Sequence, residues 1–529
     1  MTRRTIHPFL LGTTVALLSL SAAFAELRLP AIVGDNMVLQ RDLPCRIWGW
    51  DNPGVTVTVE IAGQKKSAKA DAKGKWLVTL DPLPVTKPDA PPLAMKISGS
   101  SSRELKNILV GEVWICSGQS NMGFTVASSH DPDIESLSSK FPRLRLISVP
   151  QVGIQEPQDD FKGQWEEATN PELIKQFSAV GFFYGRLLHQ ILDVPVGLID
   201  NAWGGSAAEA WVRRDILEKD PFYKTLMDGW REREKTYNHE AELEKHKAAM
   251  EKWKTAAAQA KAKEMTPPKP PRAPTNALTG QHRPGNLYCG VLHPTIGYGI
   301  RGAIWYQGES NSGRAFEYRK LFPLMIRHWR DEWSLPGAAK DFPFYWVQLA
   351  DYMAEKPEPA DSGWAELREA QTLTMSALPN TGQAVIIDLG EGKDIHPKNK
   401  RDVAERLARW ALAKDYGLQL PHRSPEFKEM KVEGNRARVT FDHVGAGLKT
   451  FDVEDVRGFA VCGEDKKFVW ATARIANTNT VLVSSDTVPK PVAVRYAWAD
   501  NPVCNLYSSD DLPVTPFRTD DFPMITAPK

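Results

Sequence analysis

The sequence predicts an α/β protein in which a parallel sheet, covered by helices on both faces, lies between two β-rich segments. Apolar strands alternate with amphipathic helices over residues 107–418, a pattern typical of an α/β/α domain. Short runs of alternating or β-branched residues, separated by turn residues, fill residues 26–106 and 419–529. Each of these segments is predicted to form a β module, and the two modules could pack together as one domain.

The first 25 residues have the pattern of a secretory signal peptide. Arg3 and Arg4 precede an apolar run that ends in Ala-Phe-Ala at residues 23–25, the small-x-small motif of a signal peptidase site. The run is too short to span a bilayer. We expect a secreted or periplasmic protein that begins at Glu26 and has no membrane-inserted segment.

The charge balance excludes one class of partner. The chain has 66 Lys and Arg residues against 65 Asp and Glu residues, and loss of the signal peptide leaves the net charge close to zero. A nucleic-acid-binding protein would carry a basic excess. We therefore predict no nucleic-acid partner, and the sequence leaves the oligomeric state open.

The cysteines predict neither a disulfide scaffold nor a structural zinc site. The chain has five, none of them in a C-x-x-C motif, and metal-binding or disulfide-rich folds show closer spacing. Cys462 and Cys504 could pair in an oxidising compartment, or both could be buried free thiols. No metal and no cofactor is expected.

The predicted strands and helices of the α/β region indicate where a ligand-binding site should lie. The predicted strands span 109–116, 144–149, 195–201, 303–306, 344–349 and 384–389, and the predicted helices span 172–192, 207–217, 316–333, 364–377 and 399–414. Ligands bind at the carboxyl ends of the strands of such sheets. Polar residues that follow those ends are therefore the first candidates for a site.

An insertion of about residues 230–275 interrupts the α/β pattern. It consists of a run rich in Glu, Lys and Ala, followed by the Pro-rich segment TPPKPPRAP. This composition predicts a long exposed helix and a stiff linker. A partner-binding helix or a lid is the alternative, but we favour a solvated insertion.

Ser120 lies in the segment VGEVWICSGQSNMGF, directly after the first strand of the predicted sheet. We expect a helix to follow it, so that helix N–H groups would point at the serine. The position that would be glycine in a G-x-S-x-G elbow is Met122, which disfavours the α/β-hydrolase turn. Ser120 is either a nucleophile or a helix N-cap.

A serine nucleophile needs a base, and His396 is the best placed histidine. It follows the predicted strand 384–389 in the loop DLGEGKDIHPKNK, and Asp394 lies two residues before it. In an extended loop these two side chains point to the same side, so the carboxylate could orient the imidazole. His293 is the rival base, but it has no carboxylate close in sequence.

Two further strand ends could supply donors to an oxyanion. Gly204 and Gly205 lie in GLIDNAWGGSAAEAW, and Gln307 lies in GAIWYQGESNSG. Glycines leave backbone N–H groups accessible, and each donor to an oxyanion is worth about 2.7 to 4 kcal/mol of barrier. Several polar, glycine-bearing strand ends in one parallel sheet favour a catalytic site over ordinary turns.

The sequence resembles the sialate O-acetylesterase family of the SGNH hydrolases in four blocks that occur in the family's order. The blocks are 118–122 (GQSNM), 203–206 (WGGS) with Glu209 and Trp211, 305–311 (WYQGESN) and 394–397 (DIHP). The resemblance extends over about residues 110–414. It implies a flavodoxin-like α/β/α domain that removes acetyl esters from sugars without a metal or cofactor.

Roles for individual residues follow from the same resemblance. It implies that Ser120 is the nucleophile, His396 the base and Asp394 the acid that orients it. It also implies an oxyanion hole formed by Ser120, Gly205 and Gln307.

The sequence departs from the wider superfamily at two of these positions. Many SGNH enzymes have D-x-x-H, whereas position 393 here is lysine, so Glu309 could replace Asp394 as the acid. Many also have asparagine in the third block, a role that Asn311 could take instead of Gln307.

The resemblance also indicates residues that would contact the sugar. The candidates for substrate binding are Gln119, Asn121, Trp203, Glu309 and Asn311. Trp211 and Trp305 lie next to the same blocks, and tryptophan rings often stack on sugars.

We therefore expect an exported serine esterase that removes O-acetyl groups from carbohydrate through an acetyl-enzyme. The acetylated partner is either O-acetylated sialic acid or a plant polysaccharide such as xyloglucan or xylan, and the sequence does not decide between them. The alternative is a catalytically silent carbohydrate-binding protein with an SGNH-like domain.

Overall fold

The computed structural model describes residues 26–138, 140–334 and 341–528. The predicted signal peptide lies outside these residues. The N-terminal segment is all β, with strands β1 (Val38–Gln40), β2 (Cys45–Trp50), β3 (Thr56–Ile61), β4 (Gln64–Lys69), β5 (Lys75–Leu80), β6 (Leu93–Ser98) and the long β7 (Ser102–Gly118). The first half of β7 pairs with β6 and β1, and its second half enters the central sheet.

The central sheet contains β7 and six further strands: β8 (Phe141–Ser148), β9 (Glu166–Ala168), β10 (Val196–Asp200), β11 (Gly302–Tyr306), β12 (Phe344–Val347) and β13 (Thr381–Ala384). Their spatial order is β13-β12-β11-β7-β10-β8-β9. All neighbours are parallel except β8 and β9. The chain connects β10 on one side of β7 to β11 on the other, so the order of strands reverses at β7.

Helices cover both faces of this sheet. They are α1 (Pro132–Leu137), α2 (Pro171–Gln176), α3 (Ala179–Leu192), α4 (Arg214–Lys219), α5 (Lys224–Thr236), α6 (His239–Ala262), α7 (Ala315–Trp333), α8 (Gly363–Ala377) and α9 (Lys400–Lys414). The apolar side chains of α3 and α9 pack on one face, and those of α7 and α8 pack on the other. The predicted α/β/α class with flanking β segments is confirmed.

The C-terminal segment is again β structure. Its strands are β14 (Glu426–Glu433), β15 (Arg436–Asp442), β16 (Leu448–Thr450), β17 (Phe459–Cys462), β18 (Val469–Trp470), β19 (Thr472–Asn477), β20 (Thr480–Ser484), β21 (Ala493–Tyr496), β22 (Leu506–Ser508) and β23 (Phe517–Arg518). They form two four-stranded sheets and the pair β16-β22 around a separate apolar core. The buried side chains of the N-terminal strands belong instead to the core under α7 and α8.

The predicted insertion forms α5 and α6, followed by the Pro-rich segment. The 24-residue α6 buries none of its side chains, which matches the exposed helix expected from its charge pattern. Among the described residues, no helix is both long and apolar enough to cross a membrane.

The predicted strand 384–389 is wrong in its position. The strand observed there is β13, which ends at Ala384, opposite the last residue of β12. Beyond that point the chain has no neighbouring strand to pair with. Val385 and Ile387 instead pack into the core of the C-terminal strands, while Ile386 packs under α9.

Two predicted helices are divided in the structure. The helix predicted at 172–192 is broken at Phe177 and Ser178, where the Ser178 side chain caps α3 by accepting the N–H of Gly181 at 3.0 Å. The helix predicted at 207–217 consists of a 3₁₀ turn, Ala208–Trp211, and the separate α4. Periodicity alone did not indicate either break.

The five cysteines are all free thiols in the structure. The pairing of Cys462 with Cys504 that the sequence left open is therefore not formed. Burial raises the pKa of Cys504 to about 12, so this thiol is not reactive at neutral pH.

Candidate active site

The polar strand ends meet at the carboxyl edge of the central sheet, beside β7. Gly118 ends this strand with φ of +135°. A Cβ atom there would lie 2.3 Å from the Tyr306 carbonyl oxygen, which accepts the Gln119 N–H at 2.9 Å. Only glycine fits this close approach of β7 and β11, and the chain then turns towards Ser120.

The helix expected after Ser120 is absent. Residues 119–123 form a single tight turn, in which the N–H groups of Met122 and Gly123 both donate to the Gln119 carbonyl at 3.0 Å. A short 3₁₀ turn, Val126–Ser128, follows. The serine is therefore exposed by a turn, without the N-terminus of a helix beneath it.

The structure brings Ser120 and His396 into direct contact. The His396 Nε2 atom lies 2.8 Å from the Ser120 Oγ atom. The Asp394 Oδ1 atom accepts the backbone N–H of His396 at 3.0 Å and lies 3.6 Å from its Nδ1 atom. The ring of Phe124 stacks on the imidazole with centroids 6.0 Å apart.

The surroundings of His396 favour its neutral form. Partial burial lowers its pKa from the ordinary value, and the positive charge of Lys400 lowers it further, while Asp394 raises it. The net shift is downward, so the imidazole is unprotonated at neutral pH. A neutral imidazole in contact with a hydroxyl can accept its proton.

The other candidates for base and acid lie elsewhere. The Nδ1 atom of His293 contacts the Gln158 carbonyl oxygen at 2.8 Å, and its ring lines a separate pocket with Arg46 and Trp48. Glu309 accepts a hydrogen bond from the Asn121 side chain at 2.6 Å. Of the carboxylates considered, Asp394 is therefore the one beside the imidazole.

Two glycines approach Ser120 from the end of β10. A Cβ atom on Gly204 would lie 3.5 Å from the Ser120 Cβ atom. Gly205 has φ of +70°, and a Cβ atom there would lie 3.2 Å from the Gln281 side-chain nitrogen. Among the described residues, the backbone N–H groups of Ser120 and Gly205 have no acceptor, so both are available to an oxyanion.

The Gln307 side chain is not available as the third donor, contrary to expectation. It is fully buried, and its Nε2 atom donates to the Ser206 carbonyl at 3.0 Å and to Asn311 Oδ1 at 2.6 Å. Its Oε1 atom accepts the hydroxyl of Tyr318. Both of its N–H groups are therefore used inside the protein.

Asn311 does not fill that role either. Its Nδ2 atom donates to Glu209 at 3.0 Å, and its Oδ1 atom accepts the Ala208 N–H. Neither Gln307 nor Asn311 can therefore act as the third donor to the oxyanion, because the two side-chain amides are hydrogen-bonded to each other beneath the surface. Gln281, which lies beside Gly205 in the cleft, has a side chain without a hydrogen bond to the described part of the chain.

Most of the predicted substrate contacts are also internal. Gln119 is 3% exposed and its side chain accepts the N–H groups of Gly308 and Ser310. Asn121 is 1% exposed. Of the five candidates for substrate binding, Trp203 is the one that lines the cleft.

The tryptophans of the second and third blocks are core residues. Trp211 and Trp305 are fully buried and their rings pack edge to face, with centroids 5.7 Å apart. They stabilise the layer beneath the site and cannot stack on a sugar. The sequence motif did not distinguish them from Trp203, because all three lie in the blocks that carry the family resemblance.

An open cleft of about 1100 Å³ lies over Ser120 and His396. Its lining also includes Gly123, Phe124, Thr125, Ser128, Gln151, Val152, Gly153, Trp203, Gly204, Thr275, Asn276, Thr279, Gly280 and Gln281. The segment 275–281 follows the Pro-rich linker of the insertion, and sequence analysis did not assign it to the site. Apart from His396, no lining residue in the described chain is ionisable.

A buried polar group behind the cleft was also missed. Lys400 is fully buried and donates to Asn121 Oδ1 at 2.5 Å. No motif marks it, since a lysine at the start of a helix is usually solvated. In the described parts of the chain, no group of three His, Cys, Asp or Glu residues is placed to hold a metal ion.

The chain is similar to known esterases over most of its length. Residues 428–521 match the family model described as the sialate O-acetylesterase C-terminal domain. The sialate O-acetylesterases of Mus musculus and Homo sapiens are 29% and 28% identical to the chain over 93% of its length, and over 94% and 92% of their own.

A solved structure shows the same architecture. A carbohydrate acetylesterase from Xanthomonas citri is 36% identical, with a TM-score of 0.78, over 94% of this chain and 100% of that one. The fold and the similarity define the protein as a carboxylic ester hydrolase of the carbohydrate acetylesterase class. Within that class, the chain belongs to the sialate O-acetylesterase family.

Replacement of Gln307 tests whether its amide is structural. Gln307→Met removes a buried amide and leaves the Ser206 carbonyl and the Tyr318 hydroxyl without partners. The free energy of unfolding should fall by about 1 to 3 kcal/mol, as measured by urea denaturation. The folded variant should keep its kcat within about tenfold, because no donor to an oxyanion has been lost.

The control for this change is Gln281→Ala, whose side chain has no hydrogen bond within the described structure. Its stability should equal that of the wild type. A loss of kcat of about 100-fold or more in Gln307→Met, at unchanged stability, would restore Gln307 to the oxyanion hole.

Proposed function

We propose that this esterase acts through a Ser120-His396-Asp394 triad and an acetyl-enzyme. The observation that carries the proposal is the 2.8 Å contact between the Ser120 Oγ atom and the His396 Nε2 atom at the floor of the cleft. The lowered pKa of His396 supports a role as base. Removal of O-acetyl groups is the activity of the family, and the triad is the proposed means.

In the first half of the reaction, Ser120 Oγ attacks the acetyl carbonyl carbon and its proton passes to His396 Nε2. The free N–H groups of Ser120 and Gly205 donate hydrogen bonds to the oxyanion that forms. Collapse of this intermediate breaks the bond to the sugar oxygen, which takes the proton from His396. The sugar leaves, and the acetyl group stays on Ser120.

In the second half, water replaces the sugar. His396 removes a proton from the water as its oxygen attacks the acetyl carbon, and the same N–H groups hold the second oxyanion. Acetate leaves as Ser120 Oγ regains the proton from His396. Water is the one co-reactant that this balance requires.

Asp394 orients the imidazole and stabilises its charged form. It already accepts the backbone N–H of His396 at 3.0 Å, and its carboxylate lies 3.6 Å from the Nδ1 atom. This distance is longer than a hydrogen bond. Because Asp394 is half exposed, with 51% of its side chain accessible, closure of the loop on a substrate can shorten it.

The cleft favours a neutral acetylated polysaccharide over a sialoside. A sialic acid carboxylate needs a cationic or strongly donating partner, whereas no Arg or Lys lies among the lining residues that the structure describes. Trp203, Gln151, Gln281 and Asn276 offer an apolar ring and amides instead. These are the groups that bind the faces and hydroxyls of neutral sugars.

We also propose that the mature enzyme is exported, because residues 1–25 have the pattern of a cleaved signal peptide. Full-length protein expressed in a bacterium should be recovered from the periplasm with Glu26 as its first residue. Mass spectrometry of the intact protein checks this. An unprocessed chain in the cytoplasm would contradict export.

The substrate and the nucleophile can be tested together by measuring acetate. Ser120→Ala should lower kcat by about four to six orders of magnitude, because the residual catalysis of the remaining groups is small. Wild type should release acetate from acetylated xyloglucan or xylan at least about tenfold faster than from O-acetylated sialic acid, a difference of 1.4 kcal/mol in the barrier.

Circular dichroism and thermal unfolding of Ser120→Ala serve as the control for folding. Undiminished acetate release by this variant would remove Ser120 from the mechanism. A preference for O-acetylated sialic acid would refute the proposed substrate and leave the triad in place. A folded wild type without acetate release from any of the three would favour a carbohydrate-binding protein.

Asp394→Asn tests the third member of the triad. The rise of kcat/KM with pH reports the pKa of His396, since only the neutral imidazole is a base. Asp394 raises that pKa, so its neutralisation should move the rising limb to lower pH. At the pH plateau kcat should fall by about 10- to 1000-fold, less than for a buried triad acid.

Glu309→Gln is the matched comparison, because it also neutralises one carboxylate near the site. A larger loss of kcat in Glu309→Gln than in Asp394→Asn would identify Glu309 as the orienting acid. An unchanged pH profile in Asp394→Asn would show that the charge of Asp394 does not affect the pKa of His396.

A further inference from the structure

A buried lysine lies directly behind the catalytic contact. Lys400 is the first residue of α9, and its side chain points away from solvent into the space behind the Ser120 turn. Its Nζ atom donates to the Asn121 Oδ1 atom at 2.5 Å. A fully buried ammonium is costly unless its surroundings compensate for the lost water.

The compensation comes from groups of the site itself. The Nζ atom lies 4.8 Å from the ring centroid of Phe124 and 5.1 Å from that of Tyr306. Both distances fall within the range of cation–π attraction. Glu309 adds an attractive negative charge.

Asn121 connects Lys400 to the loop that carries His396. Its Nδ2 atom donates to Glu309 Oε1 at 2.6 Å and to the Ile395 carbonyl at 3.0 Å. Ile395 is the residue before His396, and Asn121 is the residue after Ser120. One carboxamide therefore joins the turn that carries the serine to the loop that carries the imidazole, and Lys400 fixes its orientation.

Phe124 provides a second connection. The Lys400 Nζ atom lies 4.8 Å from the centroid of its ring, and the same ring stacks on the imidazole of His396 with an interplanar angle of 17°. Lys400 is thus connected to His396 by hydrogen bonds through Asn121 and by ring packing through Phe124. The two paths restrain both the position and the tilt of the ring.

We propose that Lys400 is a positioning residue of the esterase, whose buried amino group holds Asn121 and Phe124 so that Ser120 and His396 stay in contact. The inference rests on the proposed triad. It adds a cation, behind the site and out of reach of the substrate, to the residues on which turnover depends.

The charges around Lys400 support this role. The carboxylates that act on it are those of Glu309, three residues after β11, and of Glu391 and Asp394 in the loop that carries His396. His396 of the same loop and Tyr306 of β11 are the other ionisable groups that face it. Burial lowers the pKa of Lys400 to about 7 against the opposing effect of Glu309.

The sign of the expected effect follows from these charges. The positive charge of Lys400 lowers the pKa of His396. Below pH 7, where His396 titrates, Lys400 carries that charge. Its removal should raise the pKa of His396 and move the rising limb of kcat/KM to higher pH, opposite to the shift expected for Asp394→Asn.

The test is the pH profile of Lys400→Met with 4-nitrophenyl acetate, next to that of wild type. Methionine keeps most of the side-chain volume and removes the charge and the donor. We expect kcat to fall by about 100-fold, as for a small misplacement of reacting groups, with KM little changed and the rising limb at higher pH. The control is Lys414→Met at the other end of α9, which should match wild type.

A second variant covers the case in which Lys400→Met does not fold. Lys400→Met combined with Glu309→Gln removes both buried charges, a change that is often neutral for stability. It should fold and show the same shift of the rising limb. Thermal unfolding of each variant establishes that the folded state is being measured.

The outcomes separate this inference from the proposed mechanism. A folded variant without Lys400 that keeps the kcat and the rising limb of wild type would overturn the positioning role while leaving the triad intact. Wild-type turnover that does not depend on Ser120 would overturn the triad itself, and with it the reason for Lys400. A lowered kcat with an unshifted rising limb would overturn the proposed effect of its charge on His396.

Discussion

The arrangement of the whole protein depends on one strand, β7. Its 17 residues pair with the N-terminal strands at one end and with β10 and β11 at the other. It ends at Gly118, where β11 approaches so closely that no side chain fits. Because the strand order reverses at β7, the turn after it opens into the crevice where ligands bind in such sheets. The N-terminal module therefore supports the position of Ser120 through a continuous backbone.

Around this point the site is built in two layers with different polarity. The cleft presents a serine, a half-buried imidazole, one tryptophan and several amides, and the proposal of a neutral glycan as substrate rests on these groups. Beneath it lies a layer of buried polar groups that includes Gln307, Asn311, Glu209 and the Lys400 network. Hydrogen bonds are strong in such low-dielectric surroundings, and any unpaired member is costly. The lower layer therefore makes the geometry of the upper layer rigid.

Much of this could be predicted from residues alone. The alternation of apolar strands and amphipathic helices indicated the α/β/α class, and the rule that parallel strands end at one edge brought Ser120, Gly205 and His396 to one place. The failures have a common cause. Gln307, Gln119 and Trp211 lie in the same motifs as the exposed residues, and a motif does not show which side chains turn inward. The strand predicted at 384–389 failed because its apolar residues pack into the C-terminal core instead of a sheet.

The sequence by itself determined the class of fold and the family resemblance, and it indicated Ser120 and His396 as the candidate nucleophile and base, because these depend on local periodicity and on residues that follow strand ends. Only the tertiary structure decided which polar groups face the cleft, that Gln281 and the segment 275–281 form its wall, and that Lys400 is buried behind His396. Those facts depend on contacts between residues up to 279 positions apart. Burial and hydrogen-bond pairing at such separations arise only when the chain is packed.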